Sequence, residues 1–193
     1  MTVRPLVLAS SSPRRRELLA SFGLEFTVVA PDLDEIPLPG EGSLDLVRRL
    51  AVAKASAVAV GTPGAVVIGA DTVVDVDGER FGKPLDPDDA RRMLHALSGR
   101  IHVVHTGVAV VHDGEDTWRT TSSEVAFTQL TDNDIAWYLG TGEPFDKAGA
   151  YALQGAGGVF VRWVRGSVSG VLGLPLHETS VLLGNLGKIR FRP

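Results

Sequence analysis

Apolar residues follow two rhythms along this chain, short uninterrupted runs and stripes at helical spacing, and the two alternate from one end to the other. Residues 3–9 read as a short apolar strand. A helix follows from Pro13 to Phe22, with Ser12 as its N-cap and proline at the first helical position. Residues 26–29 read as a second strand, and 31–42 as an acidic loop broken by proline and glycine. Across 43–60, Leu46, Val47, Leu50, Ala51 and Lys54 keep a helical period. Residues 65–70 are apolar throughout, as in a buried central strand. This run passes through Asp71-Thr72 into 73–76 and meets Asp77-Gly78, a strong hairpin signal.

Further along, Asp86 and Pro87 open a helix that closes near Leu97 at Ser98-Gly99. Residues 102–111 and 118–127 read as strands joined through Asp113-Gly114, and 131–139 as another capped helix. The stretch 140–158 is irregular and glycine-rich, 159–165 reads as a strand, and 177–186 as a closing helix. Hairpin and crossover connections together imply an α/β fold with a mixed sheet.

Composition narrows the function classes. The chain has 193 residues, a length that suits one domain with a real core. A net charge of −4 argues against a general nucleic-acid or membrane-surface binder, which relies on excess Lys and Arg. The absence of cysteine removes disulfides, thiolate nucleophiles and Cys-based zinc sites. The opening residues do not read as a signal peptide and no window reaches the length of a membrane span, so the expected location is the cytoplasm. Phosphate loops of the G-x-x-x-x-G-K-[ST] type, G-x-G-x-x-G fingerprints and G-x-S-x-G elbows are all absent.

Two places carry candidate chemistry. At the first helix, Ser10 and Ser12 precede Arg14, Arg15 and Arg16. A helix N-terminus disfavours cations by roughly 0.3–1 kcal/mol each, so arginines there call for a reason. Hydroxyls, free backbone N–H groups and guanidinium groups converging at a strand end form a polyphosphate site, the alternative being a solvated basic turn. Second, Asp71 ends the apolar run as though its carboxylate emerged at a strand end. A buried carboxylate is costly unless paired or bound to a metal. A metal ligand, a general base and a structural hydrogen bond to Thr72 all fit. Glu35, in the loop Asp32-Leu33-Asp34-Glu35, could add a second carboxylate. Lys54 lies on the apolar side of its helix, so it either snorkels to water or reaches into a cleft. Lys83, between turn-formers, suits a phosphate contact or an exposed turn. Gln154, in a loop of small residues, could read a base edge as donor and acceptor, and a plain surface loop fits as well. His102 and His105 lie three apart on an expected strand and so face opposite ways, which makes them poor joint ligands.

These residues fall within a larger resemblance. LASSSPRRRELL at 8–19, IGADTVV at 68–74 and GKPLDPDDARRML at 82–94 resemble the Maf family of nucleoside triphosphate pyrophosphatases. So do LSGRIHVVHTGVAV at 97–110, EPFDKAGAYALQG at 143–155 and VLGLPLHET at 171–179. The resemblance implies a single Maf-like domain over 1–193, similar in fold to inosine-triphosphate pyrophosphatases, with an elongated mixed sheet in two lobes around a central cleft. It implies hydrolysis of a nucleoside triphosphate to the monophosphate and pyrophosphate with Mg²⁺ or Mn²⁺. Asp71 then matches the family's proton acceptor, and Arg14, Thr72 and Gln154 match positions tied to substrate choice. Asp71-Thr72 with Gln154 resembles the dTTP and UTP branch. Under the same resemblance Ser10, Ser12, Arg14, Arg15, Lys54 and Lys83 would hold the triphosphate, and Asp71 with Glu35 the metal. A homodimer is compatible with it. Relatives are tied to arrest of cell division, so a nucleotide-binding regulator of septum formation with little turnover stands as the second reading.

Overall fold

A computed structural model describes residues 4–187. Its seven-stranded mixed sheet has the order β2 (Thr27–Val29), β1 (Leu6–Ala9), β3 (Val66–Val76), β5 (Ile101–His112), β6 (Glu115–Phe127) and β7 (Val161–Arg165), with β4 (Glu79–Phe81) paired on β3. The chain divides into two compact units. One takes the chain up to Asp71, the stretch Thr106–Thr121 and the chain from Gly173 on; the other takes Thr72–His105 and Ser122–Leu172.

In the first unit, β1 (Leu6–Ala9) lies parallel to both β2 (Thr27–Val29) and the start of β3 (Val66–Val76). Val3, placed in the first strand by the sequence, lies outside the described residues. Helix α1 (Pro13–Ala20) starts where expected, with the Ser12 side chain accepting the N–H of Arg15. Helix α2 (Ser43–Ala59) presents Leu46, Val47, Leu50, Ala51, Lys54, Ala55 and Val58 as one buried stripe. Strand alternation sorts the β3 side chains between two cores. Ile68 and Ala70 join Leu6, Leu8, Leu19 and the helix α6 (Leu176–Asn185) residues Leu182 and Leu183. Val67 packs instead with Ala55 and Val58 of α2.

Two glycines set how close α2 comes to the strands. A Cβ on Gly69 would lie 2.2 Å from the Ala51 carbonyl oxygen and 2.7 Å from the Ala55 nitrogen. One on Gly107, in β5 (Ile101–His112), would lie 2.4 Å from the Val47 carbonyl oxygen. The helix backbone therefore rests on strand backbone, with no side chain between.

In the second unit, the end of β3 turns through Asp77-Gly78 into β4 (Glu79–Phe81). A like turn in the first unit, Asp113-Gly114, joins β5 to β6 (Glu115–Phe127). Both aspartates and both glycines have positive φ, from 51° to 87°, the pattern of a type I′ hairpin. Asp86 caps α3 (Pro87–Leu97), and Thr131 with Asp134 forms a capping box on α4 (Asp132–Leu139). Strand β7 (Val161–Arg165) pairs antiparallel with β6. The sequence placed its start at 159, but 159 and 160 belong to a short 3-10 turn. Residues 140–158, read as irregular, hold further 3-10 turns, and the four-residue α5 (Val168–Val171) was not foreseen.

The core of this unit is aromatic. Phe127, Tyr151 and His102 meet edge to face, with centroids 4.8–5.4 Å apart. His102 and His105 do face apart: Nε2 of His102 meets the Tyr151 hydroxyl at 2.9 Å inside the core, while Nδ1 of His105 meets Ser122.

Two outcomes follow from this packing. Gly69→Ala should cost at least about 2 kcal/mol in urea unfolding, since helix backbone cannot yield as a side chain would. A loss below about 0.5 kcal/mol would contradict the contact. Burial lowers the His102 pKa from 6.5 to about 4. As pH falls from 6.5 towards 4 the unfolded chain takes up a proton that the folded ring refuses. Folding stability should therefore drop across that window, by up to about 3 kcal/mol from this group. Denaturation of His102→Gln at several pH values should show a flatter acid limb than the parent.

Candidate active site

The turn after β1 is built as the sequence suggested. Ser10 is buried, and its hydroxyl oxygen accepts the N–H of Ser12 at 3.1 Å. Ser12 caps α1, and Nε of Arg15 donates to the Gly173 carbonyl at 2.8 Å. Arg14 and Arg15 are half-buried and Arg16 is exposed, so the first two belong to the packed side of the turn. The register Ala9↔Gly69 sets Ser10–Ser12 beside the next residues of β3, where Asp71 stands.

Asp71 corrects an expectation. It does not end a strand: β3 runs unbroken from Val66 to Val76, and Asp71 is buried in its middle. The same alternation that turns Val67 and Gly69 towards α2 turns Asp71 that way too. Lys54 answers it from the buried stripe of α2, one turn beyond Leu50 and Ala51. Its Nζ donates to Oδ1 of Asp71 at 2.6 Å and lies 2.9 Å from Oε1 of Glu35. Lys54 therefore does not snorkel to water. Its head bridges the two carboxylates.

The electrostatics follow from burial. Burial pushes the Asp71 carboxyl above the ordinary carboxylate value, and the charges of Lys54 and Arg15 oppose this without cancelling it. Burial also lowers the Arg15 guanidinium, against the pull of Asp71 and Glu35 and with the repulsion of Arg14. Two acids and three bases thus share one field, an arrangement suited to a polyanion that brings a cation with it.

Support for Glu35 was not legible in the sequence. Arg49 of α2 grips Glu41 with two hydrogen bonds, at 2.6 and 2.8 Å, and donates to the Ile36 carbonyl at 3.1 Å. Glu41 also accepts the Leu38 N–H at 3.0 Å, and Asp34 accepts that of Ile36 at 3.2 Å. The loop carrying Glu35 is therefore latched to the helix that carries Lys54. Only the charge signs of Glu41 and Arg49, set on either side of the helix start, hinted at this.

The remaining candidates lie apart in the chain's division. Thr72, half-buried in β3, follows Asp71 directly. Lys83 and Gln154 are exposed and belong to the second unit. Within that unit their segments are tied, because the Gly149 N–H donates to the Gly82 carbonyl at 3.0 Å.

The mixed α/β fold thus sets a serine–arginine turn beside a buried Asp71–Lys54 pair that the exposed Glu35 joins. The chain belongs to the Maf family, whose description, "Maf-like protein", matches residues 5–186. It is 56% identical to a dTTP/UTP pyrophosphatase of Anaeromyxobacter dehalogenans over 186 residues, 94% of each chain. It is also 52% identical to one from Myxococcus xanthus over 182 residues, covering 94% of this chain and 92% of the relative. One from Chromobacterium violaceum is 49% identical over 187 residues, 94% of each.

Removing Lys54 and removing Asp71 should have very unequal consequences for stability. Lys54→Met strands a buried carboxylate and should cost about 3–5 kcal/mol. Asp71→Asn leaves Lys54 paired with Glu35 and removes the charge that burial disfavours, so it should stay within about 1 kcal/mol of the parent. Chemical denaturation of both variants at neutral pH checks this. Equal losses would mean that the pair does not carry the electrostatics described.

Proposed function

We propose that this chain is a nucleoside triphosphate pyrophosphatase that converts dTTP and UTP to the monophosphate and pyrophosphate. The observation that carries the reading is the Asp71–Lys54–Glu35 cluster beside the Ser10–Arg15 turn. Relatives about half identical over nearly the whole chain bear that name and support it. On this reading residues 1–193 act as one Maf-like domain, and the protein works where the nucleotide pool lies, in the cytoplasm. Among the described residues no helix is long and apolar enough to cross a membrane.

The donor set fits a divalent cation. Asp71 and Glu35 meet Lys54 Nζ through Oδ1 and Oε1, so the two carboxylates lie side by side and their other oxygens, Oδ2 and Oε2, are the ones that would hold the cation. No cluster of three or more acidic or imidazole ligands occurs among the described residues. Mg²⁺ and Mn²⁺ suit such a site, because substrate phosphates and water complete their shell. When bound there, the cation would offset charge on the phosphoryl oxygens.

The chain's own residues supply the rest. Arg14, Arg15, Ser10 and Ser12 hold the triphosphate at the α1 N-terminus, with Lys54 and Lys83 adding positive charge. Asp71 takes a proton from the water that attacks the α-phosphorus in line, and pyrophosphate leaves. Its raised pKa makes it a stronger proton acceptor than an ordinary aspartate. Lys54 keeps that carboxylate oriented and ionised. Arg14, Thr72 and Gln154 select the nucleotide, with Gln154 meeting the base edge.

Pyrophosphate release from dTTP, UTP, CTP, 7-methyl-GTP and ITP, with Mn²⁺ and with EDTA, tests the proposal. Metal-dependent turnover of dTTP and UTP is expected, with Asp71→Asn lowering kcat by at least about 10²-fold. Turnover confined to another triphosphate would overturn the substrate. Tight binding without pyrophosphate release would replace the enzyme by a nucleotide sensor.

A further inference from the structure

The Gln154 segment has short side chains and few apolar anchors, yet one carboxylate organises it. Glu143 accepts three hydrogen bonds: from the Ala156 N–H at 3.0 Å on Oε2, and on Oε1 from the Gly157 N–H at 3.0 Å and the Tyr138 hydroxyl at 2.7 Å. The Tyr138 oxygen in turn accepts the Ala152 N–H at 3.0 Å. Backbone on both sides of Gln154, at 152 and at 156–157, is therefore held by one phenol–carboxylate pair.

Glycines make room for the pair. A Cβ on Gly155 would lie 2.1 Å from Oε2 of Glu143, and one on Gly157 would lie 2.5 Å from the Tyr138 hydroxyl. Gly155 also has a φ of +144°, which other residues rarely adopt. Ala156 and Gly157 open the 3-10 turn Ala156–Phe160, so the carboxylate also receives N–H groups that no residue of that turn could satisfy.

Burial raises the Glu143 carboxyl, but the bonds from Gly157, Tyr138 and Ala156, with the charge of Lys147, bring it below its ordinary value. It is thus an ionised anchor at neutral pH. Tyr138 is fully buried against Phe160, with centroids 5.2 Å apart, which fixes the phenol end of the pair. Gln154 itself stays exposed at the crest of the segment.

We propose that Glu143, with Tyr138, is a positioning residue for nucleobase selection: it fixes the backbone turn that presents the Gln154 amide. This rests on the reading above in which Gln154 meets the base. UTP and CTP present opposite hydrogen-bonding patterns on one base edge, a carbonyl O4 with an N3–H donor against an N4 amine with an N3 acceptor, so their kcat/KM ratio reports how well that amide is aimed. Loosening the turn should raise KM for UTP and flatten the ratio, while kcat at saturation, set by Asp71 and its neighbours, changes little.

The experiment measures kcat and KM for UTP and CTP in the parent, Glu143→Gln, Tyr138→Phe, Gln154→Ala and the Tyr138→Phe/Gln154→Ala double variant. Tyr138→Phe keeps the buried ring and removes only the hydroxyl, so the test survives if the Glu143 variant folds poorly. The expected result is a fall of about 10-fold in the UTP:CTP ratio for each single variant, with the change in Glu143→Gln and Tyr138→Phe carried by KM and their kcat within about 3-fold of the parent. The double variant should be no worse than Gln154→Ala alone, since both changes remove the same function. If Gln154→Ala flattens the ratio and the Glu143 and Tyr138 variants preserve it, lowering only the melting temperature, the positioning role is overturned and the Gln154 reading stands. If Gln154→Ala leaves the ratio intact, the base-reading assignment falls, and with it the role given to Glu143.

Discussion

Helix α2 lies on the sheet with backbone against backbone, and the candidate site depends on that contact. With a side chain at Gly69, the Ala51 carbonyl and the Ala55 nitrogen would have to retreat from the strand. Lys54, one turn from Ala51 on the same helix, would retreat with them. The 2.6 Å bond from its Nζ to Asp71 tolerates little such movement. Two missing methyl groups, at Gly69 and Gly107, thus set the distance at which a cation can reach a carboxylate buried in mid-strand.

That carboxylate opposes the folding of its own surroundings. Its neighbours on β3 are apolar, burial drives its pKa upward, and Lys54 and Arg15 restrain but do not reverse the shift. A protein selected for stability alone would place an apolar residue there. Under the proposed function, that charge is chemistry kept at the expense of stability. The loop bearing Glu35, more exposed, is held by the Arg49–Glu41 grip and needs no core of its own.

Much of the architecture was legible because its signals are local. Ser12-Pro13, Asp86-Pro87 and Thr131 marked helix starts through side chains that satisfy nearby N–H groups. The Asp-Gly pairs marked hairpins through residues that tolerate positive φ. The misreadings share the opposite property. Asp71 looked like a strand end because its partner lies 17 residues earlier on another element. The segment 140–158 read as irregular, and its short 3-10 turns were not foreseen because their order comes from Glu143 and Tyr138, which bind backbone up to 14 residues away. Helix α5 escaped because four residues that include a glycine carry no helical period. For the candidate site, the sequence named Asp71, Lys54 and Glu35, which the structure brings together, but the carboxylate-bridging geometry of Lys54 and the latch at Arg49 were not legible, since both are long-range pairings.

The bond from Arg15 to the Gly173 carbonyl joins residues 158 positions apart. During synthesis, at roughly 5–20 residues per second, the interval between them lasts roughly 10–30 s. For that time the arginine turn emerges from the ribosome without the carbonyl that aims it. The first unit is also assembled from three separate stretches of chain, so its contacts are largely non-local and slow to form. The arginine turn therefore reaches its final form late, only once residue 173 has left the ribosome.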